Sequence, residues 1–250
     1  MRKILSFIIL IIILIFAIIF IRNNINEFSK IPTISFVYIV PLIILTISTL
    51  FINGLRIKLF GDYYNIKLSI NEWFGLSTIT TMGNHMTPFR GGVAARAFYM
   101  KKIHNFSYTS FLTTIAASYV LRFFIYGLLG MILTLIIYKF YNFFNNILFL
   151  SLVLLTFFSL LTIIVFPIFK KTRNKFLNRV IMILEEWNVM RKNYDFLFKI
   201  LLLDLGLWLI RSLKLFFVFK AFSFDIPFVF ILLISVLSII SVFLSLTPAG

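Results

Sequence analysis

Long apolar runs recur from one end of this chain to the other, separated by short polar segments. A helix needs about 17–25 largely apolar residues to cross the hydrocarbon core of a bilayer. Six runs of this kind leave no stretch long enough for a separate soluble domain. The sequence therefore predicts an all-α, polytopic membrane helix bundle, with residues 1–250 forming one integral membrane domain. The predicted spans cover about residues 4–21, 34–52, 118–138, 147–169, 197–220 and 226–246.

Two further helices are predicted outside these spans. Residues 106–138 are too many for one simple span, so the first dozen are expected to form a lead-in helix before span three. Residues 174–196 place apolar side chains at helical spacing and charged ones on the other face. That pattern favours an interfacial helix on the cytoplasmic side.

The composition agrees with a membrane protein and limits its chemistry. Hydrophobic residues make up 61% of the chain, against about 45–50% in soluble domains. There is no cysteine, which excludes disulfides and thiolate chemistry. The two histidines, His85 and His104, have no metal-ligand spacing with a carboxylate. We therefore predict no metal site and no cofactor.

The chain is strongly basic, with 24 Lys and Arg against 8 Asp and Glu and a net charge of +16. Base-reading aromatic platforms and basic arms are absent, so nucleic acid is not the expected partner. Most of the positive charge lies between spans, where it determines topology and attracts anionic lipid headgroups. Arg2 and Lys3 precede a first apolar run that lacks a signal cleavage pattern. The first span is therefore expected to be retained, with its N-terminus in the cytoplasm.

The segment 71–103 decides the topology. If Glu72 to Pro88 crossed the membrane once, the basic clusters on either side of this segment would lie on opposite faces. If the segment enters and returns, these clusters share the cytoplasmic side, as the positive-inside rule favours. We therefore predict a re-entrant element at about 71–103. An amphipathic segment that lies on the membrane surface would also keep the two basic clusters on the same side, and it remains an alternative.

The centre of this element is a Pro/Gly break. Pro88 disfavours helix at Thr87, and Gly91 and Gly92 permit left-handed torsions and close backbone approach. A new helix starting near Val93 would present N–H groups that favour an anion. The basic residues Arg90 and Arg96 lie on either side of that helix start, and Asn84 precedes the break. Pro248 and Gly250 form a related break at the end of the sequence. The alternative interpretation is an ordinary turn with topogenic arginines.

A second candidate site lies in span five. Asp204, Trp208, Arg211 and Lys214 are spaced four, three and three residues apart and form one stripe on a helix. Arg211 is expected near the bilayer middle, where charged residues normally face a bundle interior or a wet cavity. The alternative is an Asp204–Arg211 pair that only locks helices together. Arg122, near the start of span three, is interpreted as snorkelling to headgroups.

Catalysis has little support. The sequence shows no nucleophile–base pair, no paired carboxylates and no phosphate-cradling Gly-Lys-Ser/Thr motif. An enzyme of lipid or glycan-lipid modification would have to use Glu72, Asp62 or Asp204, the nearest carboxylates.

Residues 83–102, GNHMTPFRGGVAARAFYMKK, resemble the signature of the transmembrane domain of lysylphosphatidylglycerol synthases, which also occurs in stand-alone flippase-like membrane proteins. Residues 246–250, LTPAG, look like the beginning of the family's second break, inside which this sequence ends. The resemblance implies that the membrane part moves a modified lipid, while aminoacyl transfer belongs to a cytosolic domain that this sequence lacks.

The expected function is therefore binding and translocation of an anionic phospholipid or lipid-linked (polyprenyl-type) headgroup in the cytoplasmic membrane of a prokaryote. The candidate headgroup-binding residues are Arg90, Arg96, Asp204, Arg211, Lys214, Asn84 and Thr87. The alternatives are an enzyme of lysyl- or glycosyl-transfer to lipids, and a scaffold that binds such a partner enzyme through residues 174–196.

Overall fold

The computed structural model describes residues 35–87, 91–165 and 174–244, together with Ile19 and Arg22. Within these residues it contains eight helices and no strand, which confirms the predicted all-helical membrane bundle. Apart from Ile19, the predicted first span lies outside the described residues, as do Pro88, Arg90, Pro248 and Gly250. The helices are α1 (Phe36–Tyr63), α2 (Ile70–Met86), α3 (Gly91–His104), α4 (Tyr108–Tyr141), α5 (Asn146–Ile164), α6 (Lys175–Met190), α7 (Tyr194–Ala221) and α8 (Phe228–Leu244).

Three of the described helices, α1, α4 and α5, are long and apolar enough to cross a membrane. The part of α8 from Phe228 to Ser238 is also apolar but shorter. Large apolar side chains cover their outer faces; Ile44 on α1 is 58% exposed and Ile147 on α5 is 80% exposed. Such a surface suits contact with lipid tails rather than water. By contrast, α7 carries Asp204, Arg211 and Lys214 within its length. These charges must be sheltered by protein if α7 lies in the membrane.

The helix α4 is one continuous element of 34 residues and is not divided into a lead-in helix and a span. Ser107 caps its start by accepting a hydrogen bond from the Ser110 amide at 2.9 Å, so the helix begins ten residues before the predicted span. Its length is about 51 Å at 1.5 Å per residue, well beyond the hydrocarbon core. Near its middle, Gly127 and Gly130 let α5 approach closely at Leu152.

The helices α1 and α7 pack antiparallel. The Phe60 and Phe196 rings lie 5.3 Å apart, and a Cβ on Gly206 would meet the Ile52 side chain at 3.5 Å. This register brings the Asp204 region of α7 beside the second half of α1. It also places Arg211 roughly level with residues 46–48 of α1.

The helices α2 and α3 form a helical hairpin. The Ser69–Glu72 capping box fixes the start of α2. The same Glu72 carboxylate accepts a hydrogen bond from the Tyr99 hydroxyl at 3.1 Å and lies 3.1 Å from His104 Nε2 at the end of α3. The chain therefore runs out along α2 and back along α3, as the predicted reversal within 71–103 requires. Its insertion into the bilayer remains a prediction.

Close approach explains the glycines of the hairpin. The helix α3 begins at Gly91 rather than near Val93, and neither Gly91 nor Gly92 has a positive φ. A Cβ on Gly92 would lie 2.8 Å from the Asn84 nitrogen and closer still to the Thr80 carbonyl. Both obstacles are backbone atoms, so α2 and α3 could cross here only with a glycine.

The predicted helix 174–196 is divided in two. The helix α6 ends at Met190, and Asn193 begins α7 by accepting a hydrogen bond from the Phe196 amide at 3.1 Å. Glu186 of α6 accepts hydrogen bonds from the Tyr64 and Ser110 hydroxyls, each at 2.9 Å. The helix α6 is therefore attached to the ends of α1 and α4.

Candidate cationic cavity

A cavity of about 640 Å³ lies between α1, the α2–α3 hairpin, α4 and α7. At one end it is bordered by the rings of Phe60, Phe106 and Phe111. At the other it reaches Thr46 of α1 and Lys214 of α7. We call this space the cationic cavity, because its wall includes five basic residues: Arg56, Arg96, Arg122, Arg211 and Lys214.

Asp204 lies behind the wall of the cationic cavity with a side chain that is 0% exposed. Its Oδ1 atom accepts a hydrogen bond from Arg122 Nε at 3.0 Å and lies 3.4 Å from Arg56 Nη1. The Tyr126 hydroxyl donates to the backbone carbonyl of Asp204 at 3.2 Å. The carboxylate therefore joins α7 to α4 and α1 at one point.

This arrangement corrects two interpretations made from the sequence. The partners of Asp204 are Arg122 and Arg56, and no ion pair joins it to Arg211 among the described residues. Asp204 and Arg211 are seven positions apart, which is about 10 Å along the helix axis and beyond the three or four positions at which side chains on one helix pair. Arg122 does not snorkel to the surface, because its side chain is only 13% exposed and points at Asp204.

The other three cations of the wall have no carboxylate partner in the part of the chain that the structure describes. Within the described part of the chain, no acidic oxygen lies within ion-pair distance of Arg96, Arg211 or Lys214. Arg96 instead lies over the Phe111 ring, 5.1 Å from its centre. The remaining described acids lie outside the wall, at Asp62, Glu72, Glu185, Glu186, Asp195 and Asp225.

Among the residues that the structure describes, the cationic cavity therefore has a surplus of four positive charges, with five cations in the wall and one carboxylate, Asp204, behind it. Two unit charges 6 Å apart repel by about 3 kcal/mol at an effective dielectric constant of about 20. Arg211 and Lys214 are three residues apart on α7, a spacing that places their Cβ atoms about 5–6 Å apart on the same side of the helix. The buried Arg56 Nε also has no hydrogen-bond partner among the described groups. An anion in the cavity would relieve the repulsion and supply hydrogen-bond acceptors.

Uncharged polar side chains complete the wall. The hydroxyls of Thr46, Thr49, Thr80 and Ser118 each donate to a carbonyl of their own helix at 2.6–2.8 Å. Ser77 of α2 donates to a carbonyl of α1. Because each proton is already used, the hydroxyl oxygens keep lone pairs for hydrogen bonds from a ligand.

The structure separates the candidate site residues into two groups. Arg96, Arg211, Lys214 and Asn84 border the same cavity, with Asp204 behind them. Thr87 does not border it and instead donates to the Gly83 carbonyl at 2.5 Å, so it caps α2.

The predicted anion site at the start of α3 loses one of its donors. The Val93 amide of α3 already donates to Asn84 Oδ1 at 3.1 Å. This hydrogen bond closes the hairpin and removes the Val93 amide from an anion.

Sequence reasoning missed Arg56 and Arg122 as members of the site. Arg56 directly follows an apolar run, a position that is typical of topogenic charges. A signal was present, since Thr46, Thr49, Asn53 and Arg56 are spaced three, four and three residues apart and form a polar stripe on α1.

Comparison with known proteins identifies the family. The family model described as the lysylphosphatidylglycerol synthase TM region matches residues 3–250. Comparison with curated proteins and with solved structures found no significant match. Because the family match covers nearly the whole sequence, the chain belongs to the lysylphosphatidylglycerol synthase TM region family and is a membrane protein tied to lipid modification.

Proposed function

We propose that this protein binds the anionic headgroup of a phospholipid or of a lipid-linked intermediate in the cationic cavity and translocates it across the bilayer. The observation that carries the proposal is the surplus of four positive charges, among the described residues, in a cavity between the helices of a membrane protein. Charged residues at membrane depth normally mark a substrate pathway.

The cations extend along a path. Asp204, which holds Arg56 and Arg122, is ten residues from Lys214 on α7. That is about 15 Å along the helix, half of the ~30 Å hydrocarbon core. A headgroup that moves from Arg56 and Arg122 to Lys214 would cross half of the membrane without losing cationic contacts, while its acyl chains stay among the lipids.

The proposed orientation follows from the basic loops. With the N-terminus in the cytoplasm of a prokaryotic cell, the α2–α3 hairpin enters from the cytoplasmic side and returns to it. The Ser69 and His104 ends of the hairpin lie together at its base. The hairpin would then form the re-entrant wall of the cationic cavity.

An enzyme of lipid modification finds less support in the positions of the carboxylates. Asp204 is buried against two arginines, and Asp62 pairs with Lys58 on the surface. Glu72 caps a helix and holds the end of α3. All three have structural partners, as groups that stabilise a fold do.

A scaffold for such an enzyme would use the outer face of α6. That face exposes Phe176 at 71% and Val180, four residues later, at 37%. These residues lie away from the cationic cavity, so the scaffold role and the transport role can be separated by substitution.

Lipid flipping in proteoliposomes tests the proposal. Fluorescent phosphatidylglycerol and fluorescent phosphatidic acid are each incorporated in both leaflets of separate preparations, and the fraction quenched from outside is followed with time. We expect Arg211→Ala and Lys214→Ala to reduce the flipping rate at least tenfold, because each removes a cation that the headgroup needs on its path. Lys101→Ala is the matched control, because Lys101 is exposed on α3 and does not border the cavity. Equal rates for the wild type and both cavity variants, with correct insertion, would contradict the proposal.

A further inference from the structure

We infer that the headgroup recognised by the cationic cavity carries more than one negative charge, as a phosphomonoester or a diphosphate does, rather than the single charge of a phosphodiester. This inference rests on the proposed function and specifies the chemical class of its ligand.

The first argument is the charge balance. A phosphodiester headgroup such as that of phosphatidylglycerol supplies one negative charge and would leave three of the four surplus positive charges unbalanced. A phosphomonoester carries about −1.5 to −2 at neutral pH, and a diphosphate attached to a lipid carries more. The only described carboxylate near the wall, Asp204, is already engaged by Arg56 and Arg122. No other described acid borders the cavity, so we assign the remaining balance to the ligand.

The second argument is the placement of the cations in two groups. Arg56 and Arg122 converge on Asp204 Oδ1, whereas Arg211 and Lys214 lie about two and three helical turns further along α7. Arg96 extends from the hairpin on another side of the cavity. A single phosphodiester offers two free oxygens and saturates one such group. A diphosphate offers oxygens in two directions, which matches donors that approach from separate helices.

The third argument is the chemistry of the donors. Four of the five cations are arginines, whose planar guanidinium groups bind phosphate oxygens in bidentate fashion. Arg56 Nε is buried and has no hydrogen-bond partner among the described groups, and the same is true of Asp204 Oδ2. A donor in that state requires an acceptor. More than one phosphate face is needed to satisfy these donors together.

Competitive lipid binding tests the inference. The purified protein in phosphatidylcholine nanodiscs is given phosphatidylglycerol, phosphatidic acid or a polyprenyl diphosphate at equal mole fraction, and bound lipid is counted by native mass spectrometry. We expect the diphosphate lipid to bind at least tenfold more tightly than phosphatidylglycerol, with phosphatidic acid between them. The double variant Arg211→Ala/Lys214→Ala should reduce that preference to less than threefold, and Lys101→Ala should keep it.

A soluble arm distinguishes the source of the charged group. Inorganic diphosphate is titrated against the bound diphosphate lipid. If inorganic diphosphate displaces the lipid only at a concentration at least tenfold above that of the lipid, the ligand is a group carried by a lipid. If it displaces the lipid at equal concentration, the cavity recognises the same charged group on a soluble molecule.

The failures are also distinct. Equal affinity for the three anionic lipids would overturn the inference but leave the proposed function standing. Binding of none of them above phosphatidylcholine would overturn both.

Discussion

The pairing of Asp204 with Arg122 should make a large contribution to the stability of the bundle. Asp204 is fully buried, and Arg122 Nε donates to it at 3.0 Å. Removing one partner of a buried pair leaves an uncompensated charge and costs about 3–5 kcal/mol. We therefore expect Asp204→Ala to lower the free energy of unfolding by about 3–5 kcal/mol. Asp204→Asn should cost less, because the amide oxygen still accepts a hydrogen bond.

A double-mutant cycle separates the pair from its surroundings. Arg122→Gln and Asp204→Asn are measured alone and together by detergent-driven unfolding, followed through the fluorescence of the tryptophans. Since the double variant leaves no isolated charge from this pair, its cost should be smaller than the sum of the single costs by about 2 kcal/mol.

The same helix supplies the control. Asp195 and Lys199 of α7 form an exposed pair at 2.6 Å, with side chains 73% and 52% exposed. Exposed pairs contribute about 0.2–1 kcal/mol, so the cycle through Asp195→Asn and Lys199→Gln should give a coupling energy below about 0.5 kcal/mol. Similar coupling energies in the two cycles would refute the claim that burial makes the Asp204 pair strong.

Three further predictions concern the hairpin. Gly92→Ala should destabilise the protein by more than about 2 kcal/mol in the same unfolding assay, because the added Cβ would clash with the backbone of α2. Gly75 has open space around it, so the control Gly75→Ala should be neutral or stabilising. Equal effects of the two substitutions would contradict the close approach of α2 and α3 at Gly92. Asn84→Ala should lower the free energy of unfolding by about 1–3 kcal/mol, because the Val93 amide loses its acceptor. Hydrogen exchange at the Val93 amide should become faster in this variant, and an unchanged exchange rate would contradict the prediction. Hydrogen bonds from the N-cap serine, with smaller contributions from the end of α3, lower the pKa of Glu72 from 4.5 to about 2. The Glu72 carboxylate therefore stabilises the fold above pH 4.5, and this contribution is lost as the pH falls towards 2. Glu72→Gln should weaken the pH dependence of the free energy of unfolding in this range. An unchanged pH dependence in that variant would contradict the role given to Glu72.

The fold was predictable where a single physical rule dominates. Apolar runs of membrane length indicated the bundle, and the Pro/Gly break together with the distribution of basic residues indicated a reversal within 71–103. The ends of the helices were harder to predict, because they depend on single side chains such as Ser107 and Asn193 that cap α4 and α7. Hydropathy averages over such residues.

The site was only half predictable, for a different reason. Arg211 and Lys214 stand out because they interrupt an apolar run. Arg56 and Arg122 lie near the ends of apolar runs, where topogenic and snorkelling charges also occur. Their role depends on which helices pack together. Arg56 of α1 and Arg122 of α4 both contact Asp204 of α7, and the spacing of residues within one helix does not predict contacts between helices.

The absence of native cysteine allows a direct test of the central claim, that the cationic cavity is a wet, positively charged site for an anionic lipid. A single cysteine at Thr49, in the wall, is compared with one at Tyr194, which is 80% exposed at the start of α7. Reaction rates are measured with anionic and cationic thiol reagents, with and without anionic lipid. The account predicts that Thr49→Cys reacts at least tenfold faster with the anionic reagent and is protected by the anionic lipid, while Tyr194→Cys shows neither effect. Equal rates with the two reagents at Thr49→Cys, unaffected by lipid, would contradict it.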